Sequence, residues 1–313
     1  MKVFFGLNGD LPTQLPVIMT IGNFDGMHKG HQDLVDLVQA HAKKIHGVSL
    51  VMTFDPHPMK VLFPQRGLKN IFTLDDRIEI LKSKNVDFLL IEPFSRELSQ
   101  LTPDDFFTNL LQARMNLKAL YVGHDFSFGK NRQGSLTVLE KLCVKHSVEL
   151  HVMPPVKIND DVVSSTKIRD AILDGDVKKA HIFLNRPFYL EGIIEKGAGR
   201  GKKLNIPTAN LFTRAELFPK NGVYITNARV DGHDWISVTN IGFNPTFTGD
   251  SGQRPLQIET HILDFDKDIY GQPLRVTFYD YIRPELRFNS VQELVAQITD
   301  DITRTRLYPW EKF

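Results

Sequence analysis

A short segment rich in glycine and histidine, residues 20–31, lies where a buried strand gives way to a helix. The apolar run 17–21 predicts the strand, and apolar residues at helical spacing from Leu34 onward predict the helix. Glycines let a ligand approach the backbone, and the N–H groups of a helix start attract anions. His28 and His31 fall on one side of the first helical turn. We therefore expect this segment to bind a phosphate.

Zinc is the alternative ligand for two histidines at this spacing. His57, in the sequence Phe-Asp-Pro-His-Pro, would then be a distant third ligand. The sequence has one cysteine, Cys143, and neither an HExxH nor a CxxC pattern. These observations favour phosphate over zinc.

The first 185 residues alternate short apolar runs with amphipathic segments. This alternation predicts an α/β domain with a doubly wound parallel sheet, which binds its ligands at the carboxyl ends of the strands. Residues 20–31 lie at such an end. The expected strands are 17–21, 48–54, 86–91, 119–122 and 148–152.

From Phe188 the pattern changes to period-two and aromatic-rich runs. Asp231-Gly232 between two of the runs predicts a hairpin, and Ser290 with Glu293 predicts a capping box that opens a helix. Residues 186–313 are therefore expected to form a small antiparallel β-barrel with a C-terminal helix. The expected strands are 188–195, 223–230, 235–241, 256–263 and 274–282.

Composition excludes several classes of partner. The 313 residues include 38 lysines and arginines and 37 acidic residues, so no strong field recruits nucleic acid. A single cysteine fits a reducing compartment, and no apolar run is long enough to cross a membrane. We expect a cytoplasmic protein that binds small molecules, with no nucleic-acid or membrane partner. The sequence does not define an oligomeric state.

A second candidate phosphate site is the run Val-Ser-Ser-Thr-Lys-Ile-Arg at residues 163–169. Three hydroxyls and two cations at a helix start suit a polyphosphate, although a plain helix cap with a solvated Lys and Arg is an open alternative. Together with Gly-Asn-Phe-Asp-Gly-Met-His-Lys-Gly-His at 22–31, this run resembles the SSTxIR and HxGH motifs of the nucleotidyltransferase superfamily, in the form found in bacterial FAD synthetases. The resemblance implies that the motifs bind ATP and that the two histidines stabilise its phosphates during adenylyl transfer. The implied ATP-binding residues are Gly22, Phe24, Gly26, His28, His31, Ser165, Thr166 and Arg169.

The turn at residues 123–129 resembles a further segment of the same family. The resemblance implies that Asp125 binds the acceptor or the nucleotide ribose and that Phe126 and Phe128 line the wall beside a flat ring. The sequence Phe-Asp-Pro-His-Pro at 54–58 resembles a further family loop near this crevice, which implies His57 as a flap or ligand residue on the flavin side. Two ordinary core aromatics in a glycine turn are the alternative for the phenylalanines.

In the second half, a glycine- and lysine-rich loop precedes Pro-Thr-Ala-Asn at 207–210. The loop can wrap phosphates with its N–H groups at Gly197 and Gly199, and Lys202 supplies charge. Thr208 and Asn210 present oxygens on one side of an extended segment, which suits Mg²⁺ that phosphates already hold. A hairpin loop with surface lysines is the alternative.

This segment and the later runs Gly-Val-Tyr, Asn-Ile-Gly and Glu-Thr-His resemble riboflavin kinase, the second domain of bacterial FAD synthetases. The resemblance implies that Glu259 is the catalytic base toward the ribityl hydroxyl and that Arg283 and Phe288 contact the flavin. Asn205 departs from the family, which usually has glycine before Pro-Thr-Ala-Asn. Asparagine tolerates positive φ, so the loop can keep its shape.

The resemblance implies a bifunctional enzyme that phosphorylates riboflavin with ATP to FMN and then adenylylates FMN to FAD and pyrophosphate. Its catalytic residues would be His28, His31 and Glu259, with Mg²⁺ as the cofactor. Three alternatives remain open at this point. They are an adenylyltransferase whose barrel only binds flavin, a flavin- or nucleotide-sensing module without turnover, and a nucleic-acid-binding barrel.

Overall fold

The protein forms two compact units, Met1–Ser165 and Thr166–Phe313. The computed structural model describes residues 1–6, 11, 14–197, 201–204, 206–243 and 256–310, without the side chains of residues 202 and 203. Each unit has its own sheet and its own buried apolar residues.

A six-stranded parallel sheet forms the centre of the first unit. Its strands are β1 (Lys2–Phe5), β2 (Val17–Ile21), β3 (Val48–Asp55), β4 (Phe88–Pro93), β5 (Leu117–Gly123) and β6 (Glu149–Met153). Their spatial order is β1-β4-β3-β2-β5-β6, and every pairing is parallel. The predicted doubly wound parallel sheet is confirmed.

Helices cover both faces of this sheet. They are α1 (Lys29–Lys44), α2 (Pro58–Leu62), α3 (Leu74–Ser83), α4 (Pro103–Asp105), which continues as a π-helical segment at Phe106–Gln112, and α5 (Leu136–Lys145). Ile18 of β2 packs in one apolar cluster with Val35 of α1, and Met19 packs in the other with Leu139 of α5. Successive side chains of a strand point to opposite faces, so a strand covered on both sides is a continuous apolar run. A short ribbon, β7 (Lys157–Ile158) and β8 (Asp161–Val162), follows.

The second unit contains a closed antiparallel barrel with the strand order β10-β13-β12-β11-β14-β9. The strands are β9 (Phe188–Glu195), β10 (Ala209–Phe212), β11 (Gly222–Val230), β12 (His233–Phe243), β13 (Leu256–Ile262) and β14 (Pro273–Arg283). The barrel closes through the pairing of β9 with β10. Asp231 and Gly232, with φ angles of 51° and 75°, form the predicted hairpin turn between β11 and β12. The predicted antiparallel barrel is confirmed.

The described residues of the barrel unit form three α-helices: α6 (Ser165–Asp174) almost entirely, α7 (Val177–Leu184) and α8 (Val291–Arg306). The Lys220 N–H donates to the Ile172 carbonyl of α6, and α7 packs on β14 and β9. The first compact unit thus ends before residue 185, where the sequence pattern changes. Within the described residues, no helix is both long and apolar enough to span a membrane.

The side chains of Ser290 and Glu293 cap the N-terminus of α8. The Ser290 hydroxyl accepts the Glu293 N–H at 3.1 Å, and the Glu293 carboxylate accepts the Asn289 N–H at 2.9 Å. In a capping box this carboxylate would accept the N–H of the N-cap residue, Ser290. Here it accepts the N–H of the preceding residue, Asn289.

Candidate active sites

The two histidines of the first motif lie at the start of α1, directly after β2. His28 is the N-cap residue, and its Nδ1 accepts the His31 N–H at 3.3 Å. The two imidazole rings stack with their centroids 3.6 Å apart and an interplanar angle of 14°. Phe24 contacts the His31 ring at 5.1 Å between centroids. Both rings therefore lie at one helix N-terminus, as the spacing predicts. A helix N-terminus favours the binding of an anion.

The loop between β2 and α1 has an unusual backbone. Phe24 and Met27 have φ angles of 47° and 44°, and Gly26 has a φ of 84°. Left-handed conformations at two bulky residues cost free energy, and such residues concentrate at ligand-binding segments. Gly22 lies against the Phe24 ring, and a Cβ at Gly22 would come within 3.3 Å of that ring. Gly22, Phe24 and Gly26 therefore shape the loop itself.

Buried polar groups that the motif analysis missed hold this loop in place. The Asp25 carboxylate accepts the Ile71 N–H at 2.9 Å. The Arg77 guanidinium donates to the Asn23 carbonyl at 3.1 Å and forms an ion pair with Asp55 at 3.2 Å. Arg77 is 2% exposed. An arginine on the apolar face of α3, four residues before the buried Leu81, was the available sequence signal.

Ser165 of the second motif contacts the same loop. Its hydroxyl donates to the Asp25 carbonyl at 2.8 Å. Thr166 is exposed and Arg169 is half-buried, and both follow Ser165 in the first turns of α6. The structure thus joins the start of the Ser-Ser-Thr-Lys-Ile-Arg segment to the glycine loop, whereas the ATP contacts of all three residues remain predictions.

The turn after β5 lies at the same edge of the sheet as the glycine loop, because β5 and β2 are adjacent and parallel. Asp125 is exposed in this turn. Phe126 stacks on Phe128 at 5.6 Å between centroids, and Phe128 also packs on Phe106 at 5.4 Å. Phe128 is buried in an apolar cluster of the first unit and Phe126 packs against that cluster. Both aromatics thus have a core role here, and their contact with a flat ring remains a prediction.

His57 has a clear local role. It is the N-cap of α2, and its Nδ1 accepts the Met59 N–H at 3.1 Å. The imidazole is buried. A role as a flavin-side residue remains a prediction, and no zinc-type cluster that includes His57, His28 and His31 occurs among the residues described.

On the barrel, three polar residues of adjacent strands form one row. In the strand register Asn210 of β10 is opposite Glu259 of β13, and Glu259 is opposite Asn240 of β12. Directly opposed residues of antiparallel strands present their side chains on the same face. Ile258 and Thr260, on either side of Glu259, are buried. The half-buried Glu259 therefore faces outward with Asn210 and Asn240.

A network of hydroxyl groups occupies the inner face of these strands. Thr239 lies 2.9 Å from Thr260 and 2.8 Å from Thr226, measured between hydroxyl oxygens. Thr226 also contacts the Ser237 hydroxyl at 2.8 Å. These buried hydroxyls hydrogen-bond to one another, so burying them on the inner face costs little free energy. With Thr239 and Thr260 pointing inward, the alternate residues of β12 and β13 point outward.

Gly197, at the start of the glycine loop of the barrel, lies against the row. A Cβ at Gly197 would come within 2.1 Å of the Asn210 amide nitrogen, so a larger residue there would have to displace the Asn210 side chain. A Cβ at Gly201 would lie 3.6 Å from the Thr208 hydroxyl. The structure thus brings Gly197, Asn210 and Glu259 together, with Thr208 one residue before β10. Gly199, Asn205 and the Lys202 side chain lie outside the described residues.

Arg283, at the end of β14, forms a buried ion pair with Asp301 of α8. Its Nη2 and Nε donate to the carboxylate at 2.7 and 3.0 Å, and the two side chains are 14% and 2% exposed. The guanidinium carbon lies 6.0 Å from the Phe288 ring centroid. Phe288 borders an open surface cavity of about 460 Å³, together with Glu293, Ala296, Gln297 and Asp300. Arg283 therefore positions the wall of this cavity, and its own contact with flavin remains a prediction.

Comparisons with known proteins agree across both units. A family model described as FAD synthetase matches residues 11–167, and one described as riboflavin kinase matches residues 184–308. The bifunctional riboflavin kinase/FMN adenylyltransferase of Listeria monocytogenes is 35% identical over 298 residues, which is 95% of this chain and 93% of that protein. The chain belongs to the family of bifunctional riboflavin kinase/FMN adenylyltransferases. It is thus a transferase of flavin cofactor biosynthesis, as predicted.

Two further relatives extend the comparison. The Escherichia coli K12 protein with the same description is 32% identical over 303 residues, 96% of each chain. A crystal structure from Streptococcus pneumoniae, described as a macrolide-efflux protein, superposes with a TM-score of 0.86 at 33% identity and 96% coverage of each chain. That description names efflux, whereas the two family models and the relatives from Listeria monocytogenes and Escherichia coli name flavin chemistry.

Proposed function

We propose that this chain divides the two reactions of its family between its two halves. Residues 1–185 would transfer an adenylyl group from ATP to FMN, and residues 186–313 would phosphorylate riboflavin. Riboflavin, FMN, FAD and ATP are the substrates and products of these activities. The observation that carries the proposal is that two separate sets of polar groups, the stacked His28–His31 pair and the Asn210–Glu259 pair, lie in different units.

In the first half, a phosphate oxygen of FMN attacks the α-phosphorus of ATP and pyrophosphate departs. His28 and His31 stand at a helix N-terminus, where donors and the helix dipole stabilise negative charge that grows in the transition state. Gly22, Phe24 and Gly26 give the loop the shape that lets phosphates reach the backbone. Ser165, Thr166 and Arg169 would bind the departing pyrophosphate, and Asp125, Phe126, Phe128 and His57 would lie on the acceptor side.

In the second half, Glu259 takes the proton of the terminal ribityl hydroxyl as the γ-phosphoryl group arrives. Gly197, Gly199 and Lys202 would bind the phosphates of this ATP. The oxygens of Thr208 and Asn210 are hard donors that suit Mg²⁺. Asn210 is also opposite Glu259 in the strand register. When bound, Mg²⁺ neutralises charge on the β- and γ-phosphates.

The flavin of the kinase reaction would lie against Phe288. An aromatic ring beside an open cavity offers a stacking surface for the isoalloxazine. Arg283, 6.0 Å from the Phe288 ring centroid, would contact the polar groups of the flavin. The substrates are small molecules, so we infer no nucleic-acid or membrane partner. We also infer a cytoplasmic site of action, where ATP is available.

The experiment that tests this division is chromatography of flavins after the protein is incubated with riboflavin, ATP and Mg²⁺. The wild-type protein should form FMN and then FAD. His31→Gln should form FMN only, and Glu259→Gln should form FAD only when FMN is supplied. Each variant is the control for the other, because each must be folded to keep one activity.

Other outcomes would support the alternatives. FAD formed from FMN with no FMN formed from riboflavin by the wild-type protein would favour an adenylyltransferase whose barrel only binds flavin. Tight flavin binding without ATP consumption would favour a sensing module. RNA retention that depends on salt would favour a nucleic-acid-binding barrel. Loss of both activities in a folded single variant would contradict the two-site assignment.

A further inference from the structure

Two imidazoles and one carboxylate meet on the first unit, away from the start of α1. His41 lies in the last turn of α1, and Glu149 and His151 lie on the edge strand β6, two residues apart and therefore on one face. One ligand atom from each of the three residues lies within 4.8 Å of the others. His31 and His41 are ten residues apart on α1, which corresponds to about 15 Å along a helix axis.

The donor set is one that transition metals prefer. Two imidazole nitrogens and one carboxylate oxygen, with further positions left to water, are ligands typical of zinc sites with three protein ligands. Ligands bonded at about 2.0–2.1 Å in a tetrahedron stand about 3.3 Å apart. The His151 Nε2 and the Glu149 Oε2 are already 3.3 Å apart, and the His41 Nε2 is 4.0 Å from the same oxygen.

Tyr121 of β5 holds both imidazoles in place. Its hydroxyl oxygen lies 3.0 Å from the His41 Nδ1, and its ring stacks on the His151 ring at 4.3 Å between centroids. With the proton on Nδ1 and donated to Tyr121, the His41 Nε2 carries the lone pair that faces the other two residues. Partners of this kind fix the tautomer and orientation of metal-binding histidines.

Solvent reaches this cluster. The Glu149 carboxylate and the His151 imidazole are 67% and 43% exposed, so an ion can enter from solvent and keep water ligands.

We propose that His41, Glu149 and His151 form a binding site for a divalent transition-metal ion, with Zn²⁺ as the expected occupant. The ion would link the end of α1 to the edge strand β6. The site requires neither of the two flavin reactions and is independent of their assignment.

The test is isothermal titration calorimetry of the tag-free protein with Zn²⁺, after EDTA treatment has removed bound metal. Excess Mg²⁺ is present to saturate oxygen-rich sites. The wild-type protein should bind one Zn²⁺ at this site. His151→Gln and Glu149→Gln should each weaken binding by about 100-fold or more, since they remove ligands, whereas Tyr121→Phe should weaken it by about tenfold as an outer partner. His46→Asn, which removes an exposed imidazole just beyond α1, is the matched control and should bind as the wild type does.

Retained FMN and FAD formation in Glu149→Gln and His151→Gln would show that both variants are folded. The proposal is overturned if the wild-type protein binds no Zn²⁺, or if Glu149→Gln and His151→Gln bind it as well as the wild type does. It is also overturned if His31→Gln abolishes binding while His151→Gln does not, because the ion would then occupy the stacked pair at the start of α1.

Discussion

The buried ion pair between Arg283 and Asp301 should determine the stability of the barrel unit. Asp301 is 2% exposed and accepts three hydrogen bonds within 3.1 Å from Arg283 and one from Gln297. Asp301→Asn leaves the buried guanidinium without a carboxylate partner. Breaking a buried pair costs about 3–5 kcal/mol, and the remaining amide oxygen puts this change at the low end, about 3 kcal/mol. At an m-value of about 2 kcal/mol/M, the urea midpoint should fall by about 1.5 M.

The neighbouring residue supplies the control. Asp300→Asn is the same chemical change on the same helix, but the ion pair of Asp300 with Arg304 is exposed, with side chains 49% and 58% accessible. Exposed pairs of this spacing contribute about 0.3–0.5 kcal/mol, so the midpoint should move by only about 0.2 M. Urea unfolding curves monitored by circular dichroism measure the midpoints of both variants. Equal shifts in the two variants would refute the claim that the buried pair anchors α8 to β14.

Further predictions concern both units. Gly197→Ala should abolish riboflavin phosphorylation and spare FMN adenylylation in flavin chromatography, because a Cβ there would displace Asn210, and equal loss of both would contradict this. Arg77→Lys should lower FMN adenylylation alone, measured with FMN as substrate, since a lysine cannot hold both the glycine-loop backbone and a carboxylate. Burial raises the pKa of the Cys143 thiol to about 11, so iodoacetamide at about pH 8 should modify it only after unfolding in urea, and rapid modification of the native protein would count against its burial. Burial lowers the pKa of His181, so its contribution to stability is complete above about pH 6.5 and is lost as the pH falls through the folded-state pKa. His181→Gln should therefore show a smaller fall in melting temperature on acidification than the wild type, and an unchanged fall would contradict this.

Local patterns in the sequence predict much of the fold. The fully buried β2 is apolar at every position except Thr20, and the five longest barrel strands were expected within two residues of their ends. Four short strands were missed. β7 and β8 have two residues each, and β1 and β10 have four, which is too short for a clear period-two pattern. β10 was expected only as an extended segment, yet it closes the barrel.

Some features of the candidate sites follow from local sequence, whereas others depend on contacts between distant segments. His28 and His31 are close in sequence, so the geometry of a helix start predicts that their rings share one side. The outward direction of Glu259 follows from its buried neighbours, but its register with Asn210 depends on a pairing of strands 49 residues apart. The ion pair of Arg77 with Asp55 and that of Arg283 with Asp301 are likewise contacts between separate elements. No local pattern contains them.

The central claim is that two independent sites carry the two reactions, and mixing two variants tests it most directly. His31→Gln and Glu259→Gln proteins, each incubated with riboflavin, ATP and Mg²⁺, should form no FAD alone. Mixed, they should form FAD, because the first variant releases FMN that the second adenylylates. FAD formed from riboflavin by either variant alone, or no FAD from the mixture of two folded proteins, would contradict the account.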